Sequence, residues 1–153
     1  MVATTDQKTS YPVEGLIFEL TLDGDAPTSN PIAMVHSDGY SQHERWRHAG
    51  ARVTGKQTRS FKLVSVGYCR DLDEVRQKLA QHGEVPEGQW REAFKASYPK
   101  PDGKGPVGFA DPSWTSPHGR ALFPYVYAGG YSYFHWADSY FSNGWRWLVR
   151  VSK

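Results

Sequence analysis

From Leu16 the chain alternates cleanly: Leu16, Phe18, Leu20 and Leu22 fall on one side of an extended segment, with Ile17, Glu19, Thr21 and Asp23 on the other. A period of two marks a strand with one buried face, and Asp23-Gly24-Asp25 ends it with turn-forming residues. Residues 31–36 predict a second strand, turned back by Ser37-Asp38-Gly39 toward 40–47, although 42–48 also suits a short helical turn. Residues 60–69, SFKLVSVGYC, are rich in valine and aromatic side chains and predict a further strand.

The period then changes. Asp71 with Glu74 three residues on has the form of a capping box. Leu72, Val75 and Leu79 follow at helical spacing, and Gly83 supplies a stop. A second helix is expected from Pro86 or Glu87, with Trp90, Ala93 and Phe94 on one face. It must end near Tyr98, because Pro99 disfavours the helical conformation in the residue before it. Residues 99–119 hold five prolines and four glycines and show no periodicity. So long a loop is often functional, while Phe109 and Trp114 within it predict anchorage to the body of the protein.

Three strands are expected after that, at about 120–128, 131–137 and 144–151, punctuated by Gly129-Gly130 and Asn143-Gly144. In the last of them Trp145, Trp147, Val149 and Val151 share one face and Arg146, Leu148 and Arg150 the other, which predicts indoles in the core and arginines outside. Strands, then two helices, then strands predict an α+β fold: an antiparallel sheet with a C-terminal three-stranded meander and two central helices packed on one side. The expected organisation is a flexible lead-in over 1–12 and one domain over 13–153.

Composition narrows the class. A chain of 153 residues, 39% hydrophobic and 22% charged, can bury a real core. The single cysteine, Cys69, excludes an intrachain disulfide and fits a reducing compartment. With no apolar signal core near residue 1 and no long apolar run, the expectation is a cytoplasmic protein that does not enter a membrane. Aromatic residues make up 14% of the chain, and 11 of the 22 lie in 118–153. The net charge of +2 is unevenly spread. Residues 1–30 carry one lysine against five acids, whereas 43–62 carry Arg45, Arg47, Arg52, Lys56, Arg59 and Lys62 against Glu44 alone. A basic block of this kind suits phosphates or an acidic partner.

No motif specifies a reaction. Cys69 before a helix cap, with His135 and Asp138 downstream, supplies the residue types of a nucleophile, a base and an orienting group. His135 lies between Phe134 and Trp136, however, where packing explains it equally well. His36, His43 and His48, with Glu44, match no standard zinc spacing, so no metal site is predicted. The glycines and lysine of 102–106 do not form a phosphate-binding loop, and no cofactor is implied.

The most suggestive pattern is the interleaving of cations and aromatics, in Arg45-Trp46-Arg47 and again from Trp145 to Arg150. Such residues stack on bases or sugars, or form the hot spot of a protein interface. Tyr125, Tyr127, Tyr131, Tyr133 and Tyr140 need hydroxyl partners or solvent, which brings some of them to the surface. The resulting expectation is a non-enzymatic binding or regulatory protein, of the kind that in phage or bacteria inhibits a larger machine. It docks to a macromolecule through Arg45, Trp46, Arg47, Arg52, Lys56, Arg59, Arg146 and Arg150. The mild net charge favours a protein partner, with nucleic acid as the other use of the 43–62 block. The alternative is an enzyme or small-ligand binder with a pocket near Cys69 and His135, covered by the 99–119 loop.

Overall fold

The C-terminal strand lies inside the sheet, and that placement organises the fold. The computed structural model describes residues 10–152. Its eight strands are β1 (Phe18–Asp23), β2 (Arg47–His48), β3 (Lys56–Val64), β4 (Val107–Gly108), β5 (Trp114–Thr115), β6 (Ala121–Val126), β7 (Ser132–Trp136) and β8 (Arg146–Val151). The helices are α1 (Pro31–Ser37), α2 (Leu72–Leu79) and α3 (Trp90–Ser97). The strands form one sheet in the order β1-β3-β8-β4-β6-β5-β2, with β7 on the remaining edge of β6. Every pairing is antiparallel except the parallel contact of β4 with β8.

This order replaces the expected C-terminal meander. β6 and β7 form the predicted hairpin, but β8 leaves them to insert between β3 and β4. The reason is that β8 carries side chains to be buried on both of its faces. Trp147 and Val149 enter one cluster with Leu72, Val75 and Leu79 of α2. Leu148 enters another with Trp90, Ala93 and Phe94 of α3. The two helices therefore cover opposite faces of the sheet, not one side as the sequence suggested. The side chains of β3 divide the same way, with Phe61 and Leu63 toward α3 and Val64 toward α2.

Local signals explain most of the elements. Asp71 caps α2 by accepting from Glu74 N–H at 2.9 Å, and Glu74 reaches back to Arg70 N–H at 2.8 Å. Residues 31–36, expected as a strand, are helical. A short apolar run cannot distinguish strand from helix by periodicity. Here the flanking cap decides: Asn30 accepts from the N–H groups of Ile32 and Ala33, and Pro31 takes the first helical position. A 3-10 turn at His43–Arg45 occupies the start of the predicted 42–48 helical turn.

Residues 99–119 are woven into the sheet. β4 and β5 lie along the same edge of β6, and Phe109 and Trp114 are fully buried. Pro124 is tolerated inside β6 because it falls where that edge passes from β5 to β4. Its carbonyl accepts from Phe109 N–H at 3.1 Å, and no partner calls for the missing N–H. Of the expected lead-in, 1–9 lie outside the described residues, whereas Tyr11 is buried and its ring meets Phe94 edge-on at 5.0 Å. No helix among the described residues is long and apolar enough to cross a membrane.

Candidate docking face

The β6–β7 hairpin carries a continuous aromatic ladder on one face. Residues directly opposite in an antiparallel pair share a face, and the register sets Phe123 against His135 and Tyr125 against Tyr133. Tyr127 and Tyr131 close the series across the turn, with Tyr127 N–H donating to Tyr131 C=O at 2.7 Å. A methyl group on Gly129 would stand 3.6 and 3.7 Å from these last two rings, so both flank the turn. Ring centroids are 5.7 Å apart for Phe123 and His135 and 6.3 Å apart for Tyr125 and Tyr133.

The ladder climbs from core to solvent. Phe123 is fully buried, His135 and Tyr125 are half-buried, Tyr133 is 38% exposed, and Tyr127 and Tyr131 are 54% and 66% exposed. Trp145 braces its middle, 5.3 Å from Tyr125 and 5.4 Å from His135. Phe141, 5.3 Å from His135, continues the aromatic cluster. Beyond it in sequence, exposed Tyr140 stacks on Tyr68 at 6.1 Å. Burial pushes the Tyr125 hydroxyl above its ordinary pKa, helped by Tyr40, Tyr133 and Tyr127. Burial also pushes the His135 imidazole below its ordinary value, against the raising effect of its contact with the Trp136 carbonyl. Both shifts favour the uncharged ring, at Tyr125 and at His135.

The other face and the outer edge of β7 are held rigidly. Arg91 of α3 is fully buried. It donates to both carboxylate oxygens of Asp38 at 2.8 and 3.0 Å, to Glu92 at 2.9 Å and to Tyr133 C=O at 2.9 Å. Ser132 donates to Asp38 at 2.7 Å and accepts from Lys95 at 2.9 Å. Phe134 turns away from the ladder into a cluster with Met34, Val35, Trp46, Trp114 and Leu122. This network is invisible to periodicity. Its one signal is Arg91, set between core residues Trp90 and Phe94 on an otherwise amphipathic helix.

The residues singled out by sequence disperse. Cys69 is fully buried, its main chain bridges Phe141, and burial raises its thiol pKa despite Lys78 nearby. The Phe141 ring lies against His135, while Asp138 pairs with Arg120 at 2.8 Å, so no Cys–His–Asp hydrogen-bonded chain is assembled. Arg45, Arg47, Arg52 and Lys56 are exposed, and Arg59 is half-buried with its guanidinium on Thr58 C=O. Four strands separate β2 from β3 in the sheet, so the basic block is divided among both strands and the segment between them. Trp46 belongs to the core.

Arg146 contradicts the expected outward arginine. It is 6% exposed and binds both oxygens of Asp102, at 2.7 and 2.9 Å, as well as Gly105 C=O. Its partner lies 44 residues away in sequence, and alternation carries no trace of it. Arg150 is half-buried, its main chain paired with Glu84.

Phe109 and Trp114 are buried, and the 99–119 segment contributes β4 and β5 to the sheet. An open cleft of about 400 Å³ lies elsewhere, between the start of α2 and residues 112–121 and 137–138. Asp71, Asp73, Arg76, Arg120 and Asp138 line it. Of the three histidines considered as ligands, His36 and His43 stack face to face at 4.0 Å, whereas His48 packs edge-on against Trp114. Among the described residues no three His, Cys, Asp or Glu side chains gather to hold a metal ion. The chain matches no protein-family model, no curated protein and no solved structure.

Proposed function

We propose that the protein acts without catalysis, by docking a protein partner on the aromatic ladder of the β6–β7 hairpin. The observation that carries this reading is the gradient of exposure along one face, from Phe123 in the core to Tyr127 and Tyr131 in solvent. Tyrosines on a rigid hairpin offer large contact area with few rotatable bonds, which keeps the entropic cost of binding low. The ladder itself contains no lysine or arginine, which favours a protein surface over a phosphate backbone. Arg45, and Arg47 in β2, then serve to steer encounter and not as the contact centre. The cleft beside α2 supports the small-ligand alternative less well, because Arg120 within it is already paired with Asp138.

The test is affinity capture from the native host with the intact chain, a Tyr127→Ala/Tyr131→Ala variant and an Arg45→Ala/Arg47→Ala/Arg52→Ala variant. Loss of a captured protein with the tyrosine variant alone supports the ladder as the contact. Equal recovery by all three forms removes it.

A further inference from the structure

We infer that His36 and His43 form a two-imidazole site for a divalent transition-metal ion of borderline softness, such as zinc or nickel. The ion would tie the last turn of α1 to the 3-10 turn that follows. The two rings lie 4.0 Å apart and 15° from parallel. His36 is exposed and His43 half-buried. Neither ring makes a hydrogen bond or ion pair among the described residues, so each keeps a ring nitrogen available as a ligand.

The chain accepts an unfavourable backbone to bring them together. Between the two histidines it turns through Gly39 at φ 91° and Gln42 at φ 57°, and Gln42 is the one non-glycine residue with positive φ among those described. The Cβ of Gln42 makes this conformation costly, and such costs collect where a local arrangement is functionally constrained. The reversal lays His43 over His36.

An imidazole donates to a metal from a lone pair in the ring plane, at about 2.0–2.1 Å. Two nitrogens on one tetrahedral ion then lie about 3.3 Å apart. The stacked rings must therefore turn edge toward edge, a side-chain rotation that the exposure of His36 permits. Imidazole ligands suit zinc, nickel and copper and are poor partners for calcium or magnesium. Among the described residues no third His, Cys, Asp or Glu side chain converges on the pair. The Asp38 carboxylate is already taken by Arg91 and Ser132. Water completes the coordination, and the site binds with moderate affinity.

The consequence is local stiffening. The bridged segment 36–43 contains Tyr40, whose hydroxyl holds the main chain of Phe134 in β7. A bound ion would thus brace the edge of the hairpin. The inference stands independently of what the hairpin docks.

The test is calorimetric titration of the full chain with Zn²⁺ at neutral pH, alongside its melting temperature with and without Zn²⁺. The expected result is one ion per chain, a dissociation constant tighter than about 100 µM and a melting temperature that rises with Zn²⁺ concentration. His36→Gln and His43→Gln should each weaken binding at least about tenfold, one decade in the binding constant, while melting like the parent in the absence of metal. His118→Gln should bind as the parent does. Ni²⁺ should broaden amide resonances near 36–43 and leave those near His118 sharp. No binding at millimolar Zn²⁺, or parental affinity in either glutamine variant, overturns the site. If a glutamine variant melts differently without metal, the Ni²⁺ broadening map of the parent decides: signals lost away from 36–43 overturn it too.

Discussion

The hydroxyl of Tyr40 satisfies both main-chain groups of Phe134, accepting from its N–H at 3.0 Å and donating to its C=O at 3.2 Å. Phe134 lies opposite Pro124 in the hairpin, and its own N–H and C=O face outward, away from β6, so they need a partner from another element. An open strand edge is a template for unwanted pairing, and here one side chain closes it. Tyr40→Phe should leave two polar groups without their partner and cost about 1–3 kcal/mol in urea or thermal unfolding. Concentration-dependent aggregation of the variant should rise with it. An unchanged midpoint would mean that water replaces the hydroxyl at no cost.

Alkaline pH tests the same contact in the wild type. Burial, the largest cause, raises the Tyr40 hydroxyl above its ordinary value of 10.0, and Tyr11, Tyr98 and Tyr125 are raised for the same reason. A group with a raised folded-state pKa contributes stability that is present below the unfolded value and lost as pH climbs through the folded one. Stability should therefore hold to about pH 10 and fall beyond it, together with a late rise in tyrosinate absorbance. Tyrosines titrating at their ordinary value before any unfolding would contradict this.

The pair Arg91–Asp38 should behave as a unit. Both side chains are withdrawn from solvent, 0% and 1% exposed. Removing Arg91 leaves the Asp38 carboxylate without its cation, and removing Asp38 leaves the Arg91 guanidinium to Glu92 alone, each at a cost of about 3–5 kcal/mol for the broken buried pair. Asp38→Ala and Arg91→Ala should each destabilise in that range, and the double variant should lose clearly less than the sum. Additive losses would show that the two residues act through separate contacts.

Local chemistry was legible in the chain and long-range chemistry was not. Asp71 and Glu74 announce α2, Gly129-Gly130 announces the hairpin, and both stand where expected. Alternation in β8 correctly gathers Trp145, Trp147 and Val149, yet it implies a solvated opposite face. That face is buried because α3, with Phe61 and Leu63, covers Leu148, a fact of tertiary assembly. Arg146 was misplaced for the same reason, since Asp102 lies in an aperiodic loop. The aromatic density of the tail was plain, whereas its sorting into a ladder required the register between Tyr125 and Tyr133. Residues 31–36 are helical because Asn30 caps the segment and Pro31 opens it, signals that outweigh a short apolar run of ambiguous period.

His135 gives a prediction on the acid side. Burial lowers its imidazole below the ordinary 6.5, and His48 shifts the same way for the same leading cause. The folded state therefore favours the neutral ring. This contribution is intact above about pH 6.5 and erodes as pH falls below it, levelling once the folded-state ring is also protonated. His135→Phe should keep an aromatic ring between Phe123 and Trp145 and flatten that acid limb of the stability curve.

Cys69 should prove inert. Its sulfur is enclosed with Leu72, Val75 and Phe141, and burial raises its pKa, two conditions opposed to those of a reactive thiolate. A thiol reagent at neutral pH should modify the native protein slowly and at the rate of global opening, then rapidly in denaturant. Cys69→Ala should retain docking. Fast modification of the folded protein would restore the cysteine to consideration as a nucleophile.

The ladder makes the sharpest separation between fold and function. Phe123 touches five other aromatic or imidazole rings, those of Tyr125, His135, Phe141, Trp145 and Trp147, all within 6.4 Å. Phe123→Ala removes that hub and should cost about 3–5 kcal/mol, the range for a large aromatic deleted from a packed core. Tyr127 and Tyr131 stand mostly in solvent at the far end, and their rings rest beside a glycine. Tyr127→Ala and Tyr131→Ala should stay within about 0.5 kcal/mol of the parent, as surface substitutions usually do, yet lose the captured partner. Tyr133, 38% exposed in the middle of the gradient, should lose something of both on substitution by alanine. Folding cost should thus fall from Phe123 to Tyr131 while binding cost rises, two opposite slopes along one hairpin. Parallel slopes would mean that the exposed tyrosines serve the fold, and docking would have to be sought on another surface.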